Sequence, residues 1–263
     1  MPRANRHYIP GYVWHITHRC HKQEYLLRFA RDKRRWISWL FEARKRYGLS
    51  ILSYIVTSNH IHLLVADKGD KDTIPESIQL IAGRTGQQYN QRKQRKGAFW
   101  EDRYHATAVE SDEHLMQCMV YIALNMVRAG VVRHPEEWLY SSYHEIQAPR
   151  SRYRTIDYAQ LMALFGIRDL KELQEAYRER VQEACMTQSN TRESKWTESI
   201  AVGSKVFIED TKERLGMRAR GREVNGGNGT YQLREATEPY GCTFDPKNDD
   251  LRLENRYFWD DIS

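Results

Sequence analysis

The order of segments in this 263-residue chain predicts an α+β fold. A domain over residues 1–150 has antiparallel hairpin character, and a mainly α-helical extension follows over 151–263. Three observations predict this. Short β-branched and aromatic runs alternate with helix-length amphipathic runs in the first half. Two strand-like runs follow each other across a turn-length gap, which is hairpin order and not a regular βαβ array. Past Tyr143 the strand-like runs give way to helical periodicity.

Each element has its own signal. "GYVWHITHR" reads as a strand near Tyr12 to Thr17. "ARDKRRWISWLFEARKRYG" repeats Trp36, Leu40 and Ala43 at helical spacing, and Gly48 stops it. "LSILSYIVTSNHIHLLVAD" reads as two strands joined by a turn at Thr57–Asn59. A helix follows from Pro75 to about Arg95, with the proline in its first turn. A strand is expected from Tyr104 to Val109. A helix then opens with Ser111 or Asp112 as N-cap and ends at Gly130. In the extension, "DYAQLMALFG", "LKELQEAYRERVQEA" and "VGSKVFIEDTKERLG" read as helices. "MTQSNTRES" reads as a linker and "RARGREVNGGNGT" as loose chain.

Net charge is +6, unevenly spread. Residues 1–150 carry 23 basic against 15 acidic side chains, and residues 151–263 carry 18 against 20. A basic first half suits a polyanion partner; a plain solvated basic surface is the alternative. No apolar run approaches the roughly 20 residues of a membrane span, so no membrane partner is expected. "MPRANRHYIPG", basic and broken by Pro2 and Pro10, lacks the pattern of a secretory signal. The four cysteines, Cys20, Cys118, Cys185 and Cys242, show no paired spacing and read as free thiols, which suits the cytoplasm.

The chemistry concentrates in two places. In "SNHIHLLV", His60 and His62 alternate on one strand, so both project from the same face. Two parallel imidazoles can take adjacent positions on one metal ion; two histidines on a wet sheet face is the competing reading. In the helix "LMQCMVYIALNMVRAG", Tyr121 and Asn125 stand one turn apart on one face. Asn125 is either a metal-bound amide or a helix-end one. Tyr121 is either a nucleophile or a capped core aromatic, and as a nucleophile it needs a polarised electrophile. Three histidines in "WHITHRCH" lie near Cys20, but their spacing matches no zinc motif.

The ordered segments "PRANRHYIPGYVWHITHR", "SYIVTSNHIHLLV", "FWEDRYHATAVES" and "YIALNMVRAGVVRHPEEWLYSS" resemble the REP-associated tyrosine transposases, within the HUH single-tyrosine nucleases. The resemblance covers residues 2 to about 143 and implies an RRM/ferredoxin-like domain with a central antiparallel sheet. It implies that His60 and His62 bind a divalent metal, Mg²⁺ or Mn²⁺, with Asn125 as third ligand. It also implies that Tyr121 attacks single-stranded DNA beside a hairpin, leaving a 5′-phosphotyrosine and a free 3′-hydroxyl. Two positions depart from the family's usual pattern. Thr57–Ser58 stand where relatives often carry Met-Pro, and Met126 replaces a frequent proline after Asn125.

Arg3, Arg6, Arg19, Arg34 and Arg35 are candidate phosphate contacts. In "QQYNQRKQRKGAFW", Arg92, Lys93, Arg95 and Lys96 interleave with Tyr89, Phe99 and Trp100, a composition that suits unpaired bases and backbone. A basic helix end with core aromatics is the alternative. Two rival functions stand beside strand transfer: a transposase-derived DNA-binding regulator that no longer cuts, and a hydrolase using water. Monomer and homodimer are both compatible with the sequence.

Overall fold

The structure, a computed structural model, describes residues 9–187 and 193–235. Its first part runs β1 (Val13–Arg19), α1 (Ala30–Tyr47), β2 (Ser50–Val56), β3 (His60–Ala66), α2 (Thr73–Lys93), β4 (His105–Val109) and α3 (Glu113–Ala123). After α3 come α4 (Asn125–Arg128) and α5 (Tyr143–Gln147). The extension then supplies α6 (Tyr158–Leu164), α7 (Leu170–Met186), α8 (Lys195–Glu198), β5 (Ala201–Gly203), α9 (Lys205–Leu215), β6 (Arg222–Gly227) and β7 (Thr230–Glu235).

The first six elements make a βαββαβ unit whose strands lie in the order β2-β3-β1-β4. All three pairings are antiparallel. That is the ferredoxin-like arrangement, and the fold class is α+β as expected. Alternation divides the sheet into two faces. On one, α1 packs on β2 and pairs with α2, and Trp36 of α1 meets Tyr54 with ring centroids 6.3 Å apart. On the other, α3 lies over the sheet, backed by α7. Gly48 ends α1 in the left-handed conformation at φ 72°, and its N–H bonds the Arg44 carbonyl at 3.0 Å. Glycine meets no Cβ penalty there.

The extension does more than add helices. β5 pairs parallel with β4, β7 joins β5 and β6 joins β7, so the sheet has seven strands among the described residues. Two expectations change here. "VGSKVFIEDTKERLG" is not helical throughout: its first residues belong to β5, and the helix begins after Ser204, whose hydroxyl accepts from the Phe207 N–H at 3.2 Å. "RARGREVNGGNGT" is not loose. It forms the β6–β7 hairpin, turning at Asn228 (φ 53°) and Gly229 (φ 83°), the two positive dihedrals a tight hairpin turn requires.

The helix expected to run unbroken to Gly130 divides at Leu124 (φ −78°, ψ 2°), without any proline. Asp112 stands at its N-cap position but makes no side-chain cap bond. Cys20, Cys118 and Cys185 are free thiols. Cys242 and part of the expected linker lie outside the described residues. No described helix is long and apolar enough to cross a membrane.

Candidate active site

The β3 face opposite α1 carries His60 and His62, and α3–α4 lie above it. A cleft of about 470 Å³ opens between them, lined among others by His60, His62, Tyr121, Asn125 and Arg128. All of these come from one chain. The structure therefore brings together the four residues singled out in the sequence.

His62 is almost fully buried at 2% exposure. Its Nε2 lies 2.9 Å from Asn125 Nδ2, and its Nδ1 lies 2.9 Å from His15 Nε2 on β1. His15 Nδ1 lies 2.8 Å from the Trp196 carbonyl in the extension. Burial pushes the His15 pKa down to about 3, against a smaller upward pull from the Trp196 carbonyl, so the ring is neutral. His60 is half-buried. Its Nδ1 lies 2.7 Å from Asn59 Oδ1 and 3.0 Å from the Thr57 hydroxyl. Asn59 Nδ2 in turn donates to the Gln23 carbonyl at 3.3 Å. Thr57 thus ties the turn: its hydroxyl accepts the His60 N–H at 3.1 Å.

Tyr121 is 4% exposed and boxed by rings. Its centroid is 5.8 Å from His62, 6.2 Å from His15 and 6.1 Å from Trp196. The Arg128 guanidinium carbon stands 4.1 Å from the Tyr121 ring centroid, and Nη2 donates to the Tyr121 carbonyl at 2.7 Å. Burial pulls the Arg128 pKa down, while Tyr121 and Glu193 push it back up. A guanidinium keeps its charge under such pressure.

The chemistry of the donor set fits a divalent ion. His62 Nε2 and the Asn125 amide converge within hydrogen-bond distance, and turning that amide exchanges Nδ2 for Oδ1 at the same place. Two imidazoles and one amide oxygen are all neutral, so anionic charge is left for phosphate oxygens to supply. Among the described residues no cluster of three His, Cys, Asp or Glu side chains stands ready for a metal.

The basic candidates do not gather at this cleft. Arg19 lines it and approaches Glu101 at 3.8 Å. Arg35 and Arg92 line a separate pocket between α1 and α2, where Arg92 pairs with Asp32. Lys93 lies 5.3 Å from the Phe29 ring centroid. Arg95 donates to the Ala98 carbonyl at 2.8 Å and so shapes its own loop. Arg34 and Lys96 are exposed. Arg3 and Arg6 lie outside the described residues. Among the aromatic members of the 87–100 segment, Phe99 is 4% exposed, Tyr89 lines the pocket between α1 and α2, and the Trp100 ring stacks on His18 at 4.2 Å.

Sequence reasoning missed His15, Arg128 and the Trp196 carbonyl. Arg128 had a signal, since it stands seven residues after Tyr121 and thus on the same helical face. Trp196 had none, being 181 residues from His15.

A ferredoxin-like sheet thus carries a His-x-His pair beneath a helix-borne tyrosine. Residues 10–125 match the family model described as "Transposase IS200 like". The chain is 25% identical over 109 residues to the "Putative REP-associated tyrosine transposase" of Haemophilus influenzae (strain ATCC 51907 / DSM 11121 / KW20 / Rd). That match covers 38% of this chain and spans 62% of the relative's length. A solved structure of a REP-associated tyrosine transposase bound to a REP hairpin aligns at 19% identity, with a TM-score of 0.48. The alignment covers 57% of this chain and 87% of that one.

Proposed function

We propose that this chain is a metal-dependent single-stranded DNA endonuclease and strand transferase of the REP-associated tyrosine type. It acts in the cytoplasm beside a hairpin and passes through a covalent 5′-phosphotyrosine. One observation carries the reading: Tyr121, His62 and Asn125, from separate elements, converge on one cleft inside the segment that matches the IS200-like transposase model.

His60, His62 and Asn125 would hold Mg²⁺ or Mn²⁺, which when bound supplies Lewis-acid polarisation of the scissile phosphate. The helix and its ring box hold Tyr121 in one orientation, which removes most of the entropy cost of aligning the phenol with phosphorus. Arg128, stacked on that ring, favours the phenolate as its proton leaves. The Tyr121 oxygen forms the bond to phosphorus while the bond to the 3′-oxygen breaks, and that oxygen takes up a proton. The ester conserves the bond, so a 3′-hydroxyl can attack it later and rejoin strands.

The test uses a labelled hairpin oligonucleotide with a single-stranded flank, Mn²⁺, and the protein beside its Tyr121→Phe variant. A denaturing gel should show a shifted protein band for the wild type alone, and none in EDTA. Cleavage without an adduct in either protein would replace this reading with a water-using hydrolase. Hairpin binding without cutting would replace it with a regulator.

A further inference from the structure

His62 touches another histidine, and that histidine touches a backbone carbonyl. The Trp196 carbonyl can only accept a hydrogen bond. His15 Nδ1, 2.8 Å away, must therefore carry the hydrogen of that bond. In a neutral ring this leaves His15 Nε2 as a lone pair, and it faces His62 Nδ1 at 2.9 Å. The hydrogen of this second bond then sits on His62 Nδ1, and His62 Nε2 becomes the lone-pair nitrogen. That nitrogen is the one 2.9 Å from Asn125 Nδ2. The two imidazole planes lie within 12° of each other, so the bond is made near the plane of both rings.

We infer that His15 and the Trp196 carbonyl form a relay that fixes the tautomer of His62, so that Nε2 presents its lone pair to the cleft. His15 is a positioning residue, and the extension takes part in setting a ligand of the catalytic domain. The purpose assigned to the relay rests on the metal reading above, because a ligating imidazole needs its lone pair at the metal side and its N–H on a firm partner.

The surroundings make the relay rigid. His15 and the Trp196 side chain are fully buried. The Ser199 carbonyl, three residues on, accepts from the Thr107 hydroxyl at 2.7 Å and bonds His105 Nε2 at 2.9 Å, both on β4. The Trp196 carbonyl therefore lies on a segment tied to the same sheet face as His15. His60 repeats the logic on the open side. The Gln23 carbonyl orients the Asn59 amide, which turns Oδ1 toward His60 Nδ1 and fixes the hydrogen there. Each histidine is thus set by a backbone carbonyl through one intervening side chain.

The test reads the tautomer itself. Nitrogen-15 NMR of the histidine rings is recorded on the metal-free 263-residue chain, with His62 assigned by its loss in His62→Gln. The expected wild-type state is Nδ1–H with an unprotonated Nε2. In His15→Phe, which offers no acceptor, the hydrogen should move to Nε2 in a large share of molecules. Mn²⁺ affinity should fall roughly 10- to 100-fold, the usual effect of losing an outer partner of a ligand. His15→Gln, whose amide oxygen accepts from His62 Nδ1, should keep the wild-type tautomer and most of the Mn²⁺ affinity. Should His15→Phe not fold, the wild-type and Gln spectra still decide. A wild-type His62 with its hydrogen on Nε2 would overturn the relay. So would an unchanged tautomer in His15→Phe. If the wild type shows the expected tautomer yet binds no Mn²⁺, the metal reading fails and the relay stands.

Discussion

Arg128 belongs with the four residues named from the sequence. In the proposed reaction, a charge stacked 4.1 Å from the Tyr121 ring centroid would offset the negative charge growing on the phenol oxygen. Arg128→Met should slow single-turnover cleavage by on the order of 10²-fold and leave hairpin affinity nearly intact. An unchanged rate would show that the stack only braces the helix. The histidine pair makes a different prediction. With His60→Ala and His62→Ala together, cleavage should vanish, while DNA binding, measured by gel shift, should stay within a few-fold. The reason is that nonspecific affinity comes from phosphate electrostatics in the basic half. Loss of binding in step with cleavage would mean that the pair holds the cleft open rather than doing chemistry. Neither histidine needed the structure to be noticed, because strand alternation alone puts both on one face. Their tautomers did need it, since they depend on Gln23 and Trp196, which no local pattern joins to them.

At the scale of elements, short-range rules were enough wherever a single periodicity ruled. The β2–β3 hairpin, α1 with its Gly48 stop and α2 all lie close to where spacing put them. The errors arise where tertiary contacts overrule the local pattern. Ala201–Gly203 is too short to show alternation, and it becomes a strand because β4 offers it a parallel edge and β7 an antiparallel one. The break at Leu124 has no glycine or proline to announce it, yet it sits just before the residue whose amide faces His62. The β6–β7 hairpin did carry a legible signal, the Asn228–Gly229 turn, within glycine-rich sequence that reads as loose chain. Gly203 shows how tightly the added strand is built in. A Cβ there would lie 2.5 Å from the Phe207 ring and 2.9 Å from the Glu110 side chain. Gly203→Ala should therefore lower stability by about 1–3 kcal/mol, as overpacking does, read as a lower urea midpoint. No change in the midpoint would mean that α9 is not held against β5.

At the scale of the whole molecule, the charge asymmetry and the cleft bear on the form of the substrate. The tyrosine lies beneath its helix in a cleft walled by the sheet and by the extension. A regular duplex restrains its backbone, whereas an unpaired strand can bend to bring a phosphate in line with the phenol. A hairpin with a single-stranded flank should be cut, the same strand annealed to its full complement should be cut little, and both rates should fall as salt rises. Faster cutting of the duplex would point to a double-strand nuclease. The central claim remains that one side chain becomes covalently joined to DNA. The most direct measurement is mass spectrometry of the protein after reaction with the flanked hairpin and Mn²⁺, nuclease trimming and proteolysis. The account predicts a nucleotide phosphate on the peptide containing Tyr121, with fragment ions placing it on that residue. Cleaved DNA with the phosphate on another tyrosine, such as Tyr104, or on none, would contradict it.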